Sequence, residues 1–133
     1  MLKLEIVTPE RKVVDVQVDS VTVPTASGDA GILPQHAPLV SALRPGVLAY
    51  TRGGNIERVL ISGGFVEVNQ DRVSLLADSA ETADEIDPAA ARIQRETAEK
   101  SLAAAINQPI EETQHLRDEL ETATARLQLA AGR

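Results

Sequence analysis

Apolar and polar residues alternate in short runs through the N-terminal part of the chain. Residues 2–6 and 14–18 alternate strictly, and residues 21–23 form a further apolar run that Pro24 ends. Strict alternation predicts β-strands with one buried and one solvated face. No stretch with helical spacing separates these runs, which favours an all-β unit.

Two later pairs of apolar runs predict β-hairpins. The first pair flanks Gly53 and Gly54, and glycine readily adopts the positive φ that tight hairpin turns need. The second pair flanks a turn at residues 69–71. Short strands with frequent turns indicate a sandwich or a barrel, and we predict an antiparallel β-sandwich over residues 1–84. The four runs are residues 47–51, 56–61, 65–68 and 72–76.

The period of the pattern changes in the C-terminal part. Asp87 is a favourable helix cap, and Pro88 suits the first helical turn, where its missing N–H costs nothing. We predict one helix over residues 89–105 and a second over residues 110–130. The short break between them predicts an antiparallel two-helix hairpin, residues 85–133. The predicted fold class is therefore α+β.

Each predicted helix carries one stripe at helical spacing, and both stripes are rich in alanine. Burial contributes about 25 cal/mol per Å², so alanine adds little to packing, although it strongly favours the helix itself. Stable helices with weak packing suit an element that docks in one state and detaches in another; a permanently docked hairpin is the alternative. The second helix is predicted to end at Gly132. The stripes are Ala91, Arg95, Ala98, Leu102 and Ala105 on the first helix, and Leu116, Leu120, Ala123, Leu127 and Ala130 on the second.

Composition and charge narrow the possible functions. The 133 residues have a net charge of −7 and no cysteine, which argues against nucleic-acid binding and excludes disulfides and thiolate metal sites. Residues 1–77 hold eight acidic and seven basic residues, whereas residues 78–133 hold twelve and six. This asymmetry suggests two parts with different roles. No run approaches the roughly 18 apolar residues of a membrane span, so we expect a soluble chain that is not itself inserted into a membrane.

Few side chains suit catalysis. The two histidines are His36 and His115, and no H-E-x-x-H, G-x-S-x-G or phosphate-loop pattern occurs. These patterns supply metal ligands, nucleophiles or phosphate contacts in many enzymes. We therefore expect no metal site, no cofactor and no enzymatic activity. His115 is interpreted as a solvated residue on the second helix.

The segment at residues 28–39, GDAGILPQHAPL, is the strongest functional candidate. It is unusually apolar for a loop, yet its glycines and prolines argue against a helix or a central strand. Two interpretations are open. The segment either packs across the sandwich through Ile32 and Leu33, or forms a rigid frame that presents Asp29 and His36 to another protein.

Several short blocks in register resemble the epsilon subunit of bacterial F-type ATP synthase. Their order and spacing fit through residue 87, and the predicted hairpin fits in length and type. The resemblance therefore covers essentially the whole chain. The blocks are GDAGILPQHAPL at residues 28–39, LRPGV at 43–47, ISGGFVEV at 61–68, AD at 77–78 and EID at 85–87.

The resemblance implies a non-catalytic rotor subunit of a proton-translocating ATP synthase. Epsilon-like proteins place the sandwich against the gamma subunit and the c-subunit ring and couple their rotation to ATP synthesis. Their helical hairpin folds onto the sandwich or extends along gamma towards the alpha and beta catalytic subunits, where it impedes ATP hydrolysis. The implied location is the cytoplasmic face of the bacterial plasma membrane, or the thylakoid membrane, with the chain held there by the complex.

The same resemblance implies two sets of contact residues. In the family, the first set lies at the tip of a loop of the epsilon subunit and contacts the polar loops of the c ring. The second set contacts gamma. The implied c-ring residues are Gly28, Asp29, Ala30 and Gly31, and the implied gamma residues are His36 and Gly46.

Some family members bind ATP in the folded hairpin through the motif [IL]-D-x-x-R-A. Here Asp87 occupies the acidic position and Ala90 stands where the motif has arginine. Asp87, Arg92, Arg95 and Arg126 remain as candidate ligands, so at most weak ATP binding is expected. An ATP-sensing domain is one alternative function. Another is a β-sandwich for an unrelated ligand with a helical dimerisation tail, which would leave the segment 28–39 unexplained.

Overall fold

The computed structural model describes residues 1–131. Within that range the strands come first, followed by a short 3₁₀ helix at Ala83–Glu85 and two α-helices, α1 (Pro88–Ala104) and α2 (Ile110–Ala131). The strands are β1 (Leu2–Val7), β2 (Lys12–Val18), β3 (Ser20–Thr25), β4 (Gly28–Ile32), β5 (Leu39–Leu43), β6 (Gly46–Arg52), β7 (Asn55–Ile61), β8 (Gly64–Asn69), β9 (Arg72–Ala77) and β10 (Ala80–Glu81).

The strands form one continuous hydrogen-bonded sheet in the order β10-β7-β6-β3-β5-β8-β9-β1-β2, with β4 paired to β3. Neighbouring strands are antiparallel except β1 and β9, which are parallel. The sheet curls until β2 comes close to β6, and the two layers enclose a core of Val, Leu, Ile and Ala. The predicted antiparallel β-sandwich is confirmed, with this one parallel pair added.

Both predicted hairpins are present. The β6–β7 turn consists of Gly53 and Gly54, whose φ angles are 58° and 84°. The β8–β9 turn uses Gln70 and Asp71, at 50° and 59°. Asp71 also stabilises the neighbouring connection, because its carboxylate Oδ1 accepts a hydrogen bond from the Gln35 N–H at 2.6 Å. The turn chemistry therefore sets both hairpin registers.

The segment 28–39 contains more strand than predicted. Its first five residues form β4 and its last residue begins β5, so residues 33–38 are the connection. The argument against a helix or a central strand holds, because β4 is an edge strand that pairs with β3 alone; the prediction of a loop was wrong for residues 28–32. Pro24 also lies inside β3 rather than at its end. Its carbonyl still accepts a hydrogen bond from the Arg44 N–H at 3.0 Å, and proline has no donor to satisfy.

The two apolar residues that were expected to anchor this segment behave differently. Ile32 is fully buried in the sandwich core, whereas Leu33, the next residue, is exposed. Successive strand residues point to opposite faces, so one of the two had to face solvent. The packed-loop interpretation holds for Ile32 only.

The helical hairpin forms with the predicted cap. The Asp87 carboxylate Oδ1 accepts hydrogen bonds from the Ala89 and Ala90 N–H groups at 3.0 and 3.4 Å, and Pro88 is the first residue of α1. These bonds satisfy donors that the first helical turn leaves unpaired. The predicted end of the second helix, Gly132, lies outside the described residues.

Each predicted stripe is only partly correct, because Arg95 and Leu102 of the α1 stripe are half-buried and Ala105 lies just beyond the end of α1. Ala91 and Ala98 are the buried residues of α1. On α2, Ala123 is buried as expected, but the leucines of the stripe are only half-buried. The reason is that α2 contacts two surfaces: α1 on one side and the sandwich on the other. The buried residues of α2 are Thr113, Thr122, Ala123, Ala125 and Leu129.

Docking of α2 on the sandwich creates a second, smaller core. Ala125 and Leu129 pack against Leu60 of β7 and Ile86 of the linker. Three of these four side chains are large, and the partly buried residues Val47, Ala83 and Ala130 pack around them. The division of the chain into units 1–84 and 85–133 stays a prediction.

Candidate functional site

The residues with an implied c-ring role lie on the edge strand β4. Asp29 and Gly31 point outward and are exposed, whereas Ala30 packs towards the core. The Asp29 carboxylate lies 3.7 Å from the Arg44 guanidinium, and both side chains are at least half exposed. Such an exposed pair contributes little to stability. A partner can therefore reach both groups and replace the contact between them.

Asp29 also lines a groove between the sandwich and α2. The groove has a volume of about 520 Å³, and Gly46, Leu120 and Thr124 are among its other lining residues. A side chain at Gly46 would meet Pro24 at 3.0 Å, so glycine permits a close approach of β6 to β3. The structure thus brings together Asp29 and Gly46, which had been assigned to different partners.

His36 and Gly46, the two residues with an implied gamma role, lie at opposite ends of β5. His36 precedes the strand and is half-buried, with its ring Nδ1 2.6 Å from the carbonyl oxygen of Ala37. Its backbone N–H donates to the Leu33 carbonyl at 3.2 Å. Gly46 follows the strand and pairs with Ile61 of β7. These two residues therefore do not form one contiguous contact.

An exposed apolar patch crosses four adjacent strands of the outer sheet face. Ala42, Phe65, Leu76 and Val7 stand directly opposite one another on β5, β8, β9 and β1, and Val40 extends the patch along β5. Phe65, the single phenylalanine of the chain, is 61% exposed. A contiguous apolar patch centred on an aromatic side chain is typical of protein–protein interfaces.

The sequence contained a signal for this patch that was not used. Phe65 and Glu67 share one face of β8 because strand residues alternate, and a carboxylate belongs in solvent. Phe65 must therefore face solvent as well. Val66 and Val68, on the opposite face, are buried. Segment 33–38, which includes His36, leads directly into the end of β5 that carries Val40.

Three of the four candidate nucleotide ligands, Asp87, Arg95 and Arg126, contact other groups of the chain. Asp87 caps α1, and Arg95 lies 3.6 Å from Glu99 on the same helix. Arg92 is exposed. Arg126 contacts Glu81 on β10 and Gln94 on α1, two partners separated from it by 45 and 32 residues. Sequence patterns gave no indication of either partner.

The linker before α1 is held by Glu85. Its carboxylate accepts hydrogen bonds from the Thr82 N–H at 3.1 Å, the Thr82 hydroxyl at 3.0 Å and the Arg11 guanidinium at 2.7 Å. The bond from the Thr82 backbone is the main cause that lowers the pKa of Glu85, with the Thr82 hydroxyl next; Arg11 contributes less. The stabilisation is complete above the carboxyl's unfolded pKa and is lost as the pH falls through the lowered value.

His115 lies exposed on α2, as predicted. Over residues 1–131, no three His, Asp or Glu side chains converge as they would around a metal ion. In the same range, neither helix combines the length and apolarity required to cross a bilayer.

Comparison with known proteins identifies the family. The family model described as ATP synthase, Delta/Epsilon chain, beta-sandwich domain matches residues 1–83. The ATP synthase epsilon chain of Herpetosiphon aurantiacus is 45% identical over 129 residues, which cover 97% of this chain and 93% of the relative. The chain belongs to the ATP synthase epsilon family. Another epsilon chain, from Desulforamulus reducens, is 48% identical over 100 residues, or 75% of this chain and 76% of the relative.

Two solved structures contain chains with a similar fold. A chain in the structure of the Euglena gracilis mitochondrial ATP synthase, comprising OSCP, F1 and the c-ring, superposes with a TM-score of 0.79 and 26% identity, covering 98% of this chain and 81% of that one. A central-stalk and c-ring structure of the Tetrahymena thermophila mitochondrial ATP synthase contains a chain with the same fold at a TM-score of 0.55 and 16% identity, covering 63% and 68% of the two chains.

Proposed function

We propose that this epsilon-family chain is a non-catalytic rotor subunit that joins gamma to the c-subunit ring in the central stalk of a proton-translocating ATP synthase. In this role it couples their rotation to ATP synthesis. The observation that carries the proposal is the apolar patch, which places the chain's single phenylalanine in solvent. An exposed phenylalanine at the centre of an apolar patch is explained by a partner that covers it.

The apolar patch is proposed to receive gamma, with His36 at its border and Gly46 outside it. The outward residues of β4, chiefly Asp29, are proposed to meet the c ring. The complex then holds the chain on the cytoplasmic face of the bacterial plasma membrane, or on the thylakoid membrane. The helical hairpin is proposed to detach from the sandwich, reach the alpha and beta subunits and restrain ATP hydrolysis.

Co-purification tests the proposal as a whole. A tagged copy of the full chain, expressed in its own host, is expected to retain gamma, alpha, beta and the c ring after membrane solubilisation in mild detergent. Recovery of the chain without gamma would contradict the proposed role. An equally tagged Phe65→Asp chain serves as the control for contact through the patch.

Asp29→Arg is expected to reduce coupling without affecting folding. The Asp29 side chain is exposed and its pair with Arg44 spans 3.7 Å, so the free energy of unfolding should change by no more than about 0.5 kcal/mol. In vesicles reconstituted with the synthase, the ratio of proton pumping to ATP hydrolysis should fall. Glu10→Arg, which alters an exposed acid in the β1–β2 turn, is the charge-matched control. An unchanged ratio for Asp29→Arg would exclude a c-ring contact at this position.

We expect the isolated chain to bind ATP with a dissociation constant above about 1 mM, which corresponds to a binding free energy no stronger than about −4 kcal/mol. A triphosphate needs several charge-assisted donors, but Ala90 stands at the motif's arginine position and Arg126 already binds Glu81 and Gln94. Titration calorimetry measures the affinity directly. Ala90→Arg, which restores the motif, should bind ATP more tightly than the unaltered chain. A micromolar site in the unaltered chain would instead identify an ATP sensor.

A further inference from the structure

Arg126 connects three parts of the structure. From α2, its Nε and Nη2 atoms donate to Oε2 and Oε1 of Glu81 on β10, at 3.1 and 2.7 Å. Its Nη1 atom donates to Oε1 of Gln94 on α1, at 2.5 Å. Among residues 1–131, Arg126–Glu81 is the one ion pair that joins an α-helix to the sandwich.

This arrangement is stronger than an ordinary surface ion pair. The Arg126 and Glu81 side chains are only 24% and 25% exposed, and their contact is bidentate, which fixes its direction as well as its length. If one partner is removed, the other stays partly buried without its counter-charge, and that is unfavourable. The Arg126–Glu81 pair therefore stabilises one particular orientation of α2 on the sandwich.

The rest of the docking interface is small. Its buried apolar part consists of Leu60 and Ile86 on one side and Ala125 and Leu129 on the other, and the partly buried side chains packed around it are Val47, Ala83 and Ala130. Exposing an alanine side chain to water costs little free energy, because its apolar area is small. Glu81 lies on the two-residue strand β10 at the end of the sheet order, and the linker to α1 follows immediately. The charged contact thus sits beside the point about which the helices would have to move.

We propose that Glu81 and Arg126 form a latch that controls whether the helical hairpin stays docked on the sandwich, with Gln94 of α1 holding the Arg126 guanidinium in position. The latch rests on the proposed detachment of the hairpin and assigns its control to the Arg126–Glu81 pair. Opening the latch separates Arg126 from β10, leaves the small apolar contact as the remaining attachment, and frees α2 from the sandwich.

A single introduced thiol reports how often the interface opens, because the chain has no cysteine of its own. Ala125→Cys places the thiol inside the docking interface, where position 125 is buried. In a separate chain, Ala77→Cys places the thiol inside the sandwich core, where it reports unfolding of the whole domain. The rate of reaction with an aromatic disulfide reagent measures each opening equilibrium even when the open state is rare.

Arg126→Ala and Glu81→Ala are each expected to raise the reaction rate of the interface thiol about tenfold, the factor that corresponds to losing one charged hydrogen-bonded contact. The reaction rate of the core thiol should not change. Arg117→Ala is the matched control, because the Arg117 hydrogen bonds found within residues 1–131 all stay on α2, to Thr113, Gln114 and the Ile110 carbonyl. The charge exchange Glu81→Arg with Arg126→Glu should return the rate of the interface thiol towards its original value.

An unchanged rate for the interface thiol, or an equal rise for the core thiol, would overturn the latch. The measurement uses the isolated chain and therefore does not depend on the proposed role in the synthase. If the latch variants open the interface but leave ATP hydrolysis by the reconstituted enzyme unchanged, the latch stands and the proposed restraint of hydrolysis fails.

Discussion

Gly64→Ala is expected to lower the free energy of unfolding of the sandwich by about 3 kcal/mol or more, a large fraction of the roughly 5–15 kcal/mol that stabilises a typical domain. Gly64 has a φ of 115°, a conformation that side chains rarely adopt. An added Cβ would lie 2.0 Å from the Leu76 carbonyl oxygen and 2.9 Å from the Ala77 Cα. Both neighbours are backbone atoms of the paired strand β9, so relief of the clash requires β8 and β9 to separate.

Two other glycines separate the cost of the backbone conformation from the cost of the steric clash. Gly28 has a similar φ of 121° but open space around its Cα, so Gly28→Ala carries the conformational cost alone, about 1–2 kcal/mol. Gly31 has neither constraint, and Gly31→Ala should change stability by no more than about 0.5 kcal/mol. Urea unfolding followed by far-ultraviolet circular dichroism ranks the three variants. A Gly64→Ala chain as stable as Gly28→Ala would disprove the backbone clash.

Phe65→Asp is expected to weaken binding to gamma at least a hundredfold, or about 3 kcal/mol, while the fold stays intact. Aromatic side chains at the centre of an interface often carry this much binding energy. In the complex with gamma, a carboxylate at this position would also be buried among Ala42, Leu76 and Val7, and the patch offers it no opposite charge. Because Phe65 is 61% exposed in the free chain, the free energy of unfolding should change little.

Surface plasmon resonance or calorimetry with purified gamma measures the loss. Ile56→Asp is the matched control, since Ile56 is 56% exposed and lies on β7, away from the patch. It should retain nearly the original affinity. If Phe65→Asp changes the affinity less than threefold, gamma does not cover the apolar patch, and the proposed orientation of the sandwich in the stalk is wrong.

Local rules determined much of this fold from the sequence. The alternation in β1 fixes which side chains are buried, because a shift by one residue would turn every leucine outward. Gly53 and Gly54 define a hairpin since few other residues adopt their backbone angles. Asp87 and Pro88 begin α1 through bonds to residues only two or three positions away. The block pattern also identified the family that the relatives confirm.

Contacts between distant residues were decided only by the tertiary structure. Glycine and proline in segment 28–39 argued against a helix or a central strand and predicted a loop, but β3 supplied an edge on which β4 could pair. Helix α2 presents one side to α1 and another to the sandwich, so a single predicted stripe described it incompletely. Arg126 finds Glu81 because β10 pairs with β7 and so places the carboxylate under α2. Such contacts depend on how strands and helices pack against each other in three dimensions. The spacing of residues along the chain reports only local periodicity, so it cannot predict them.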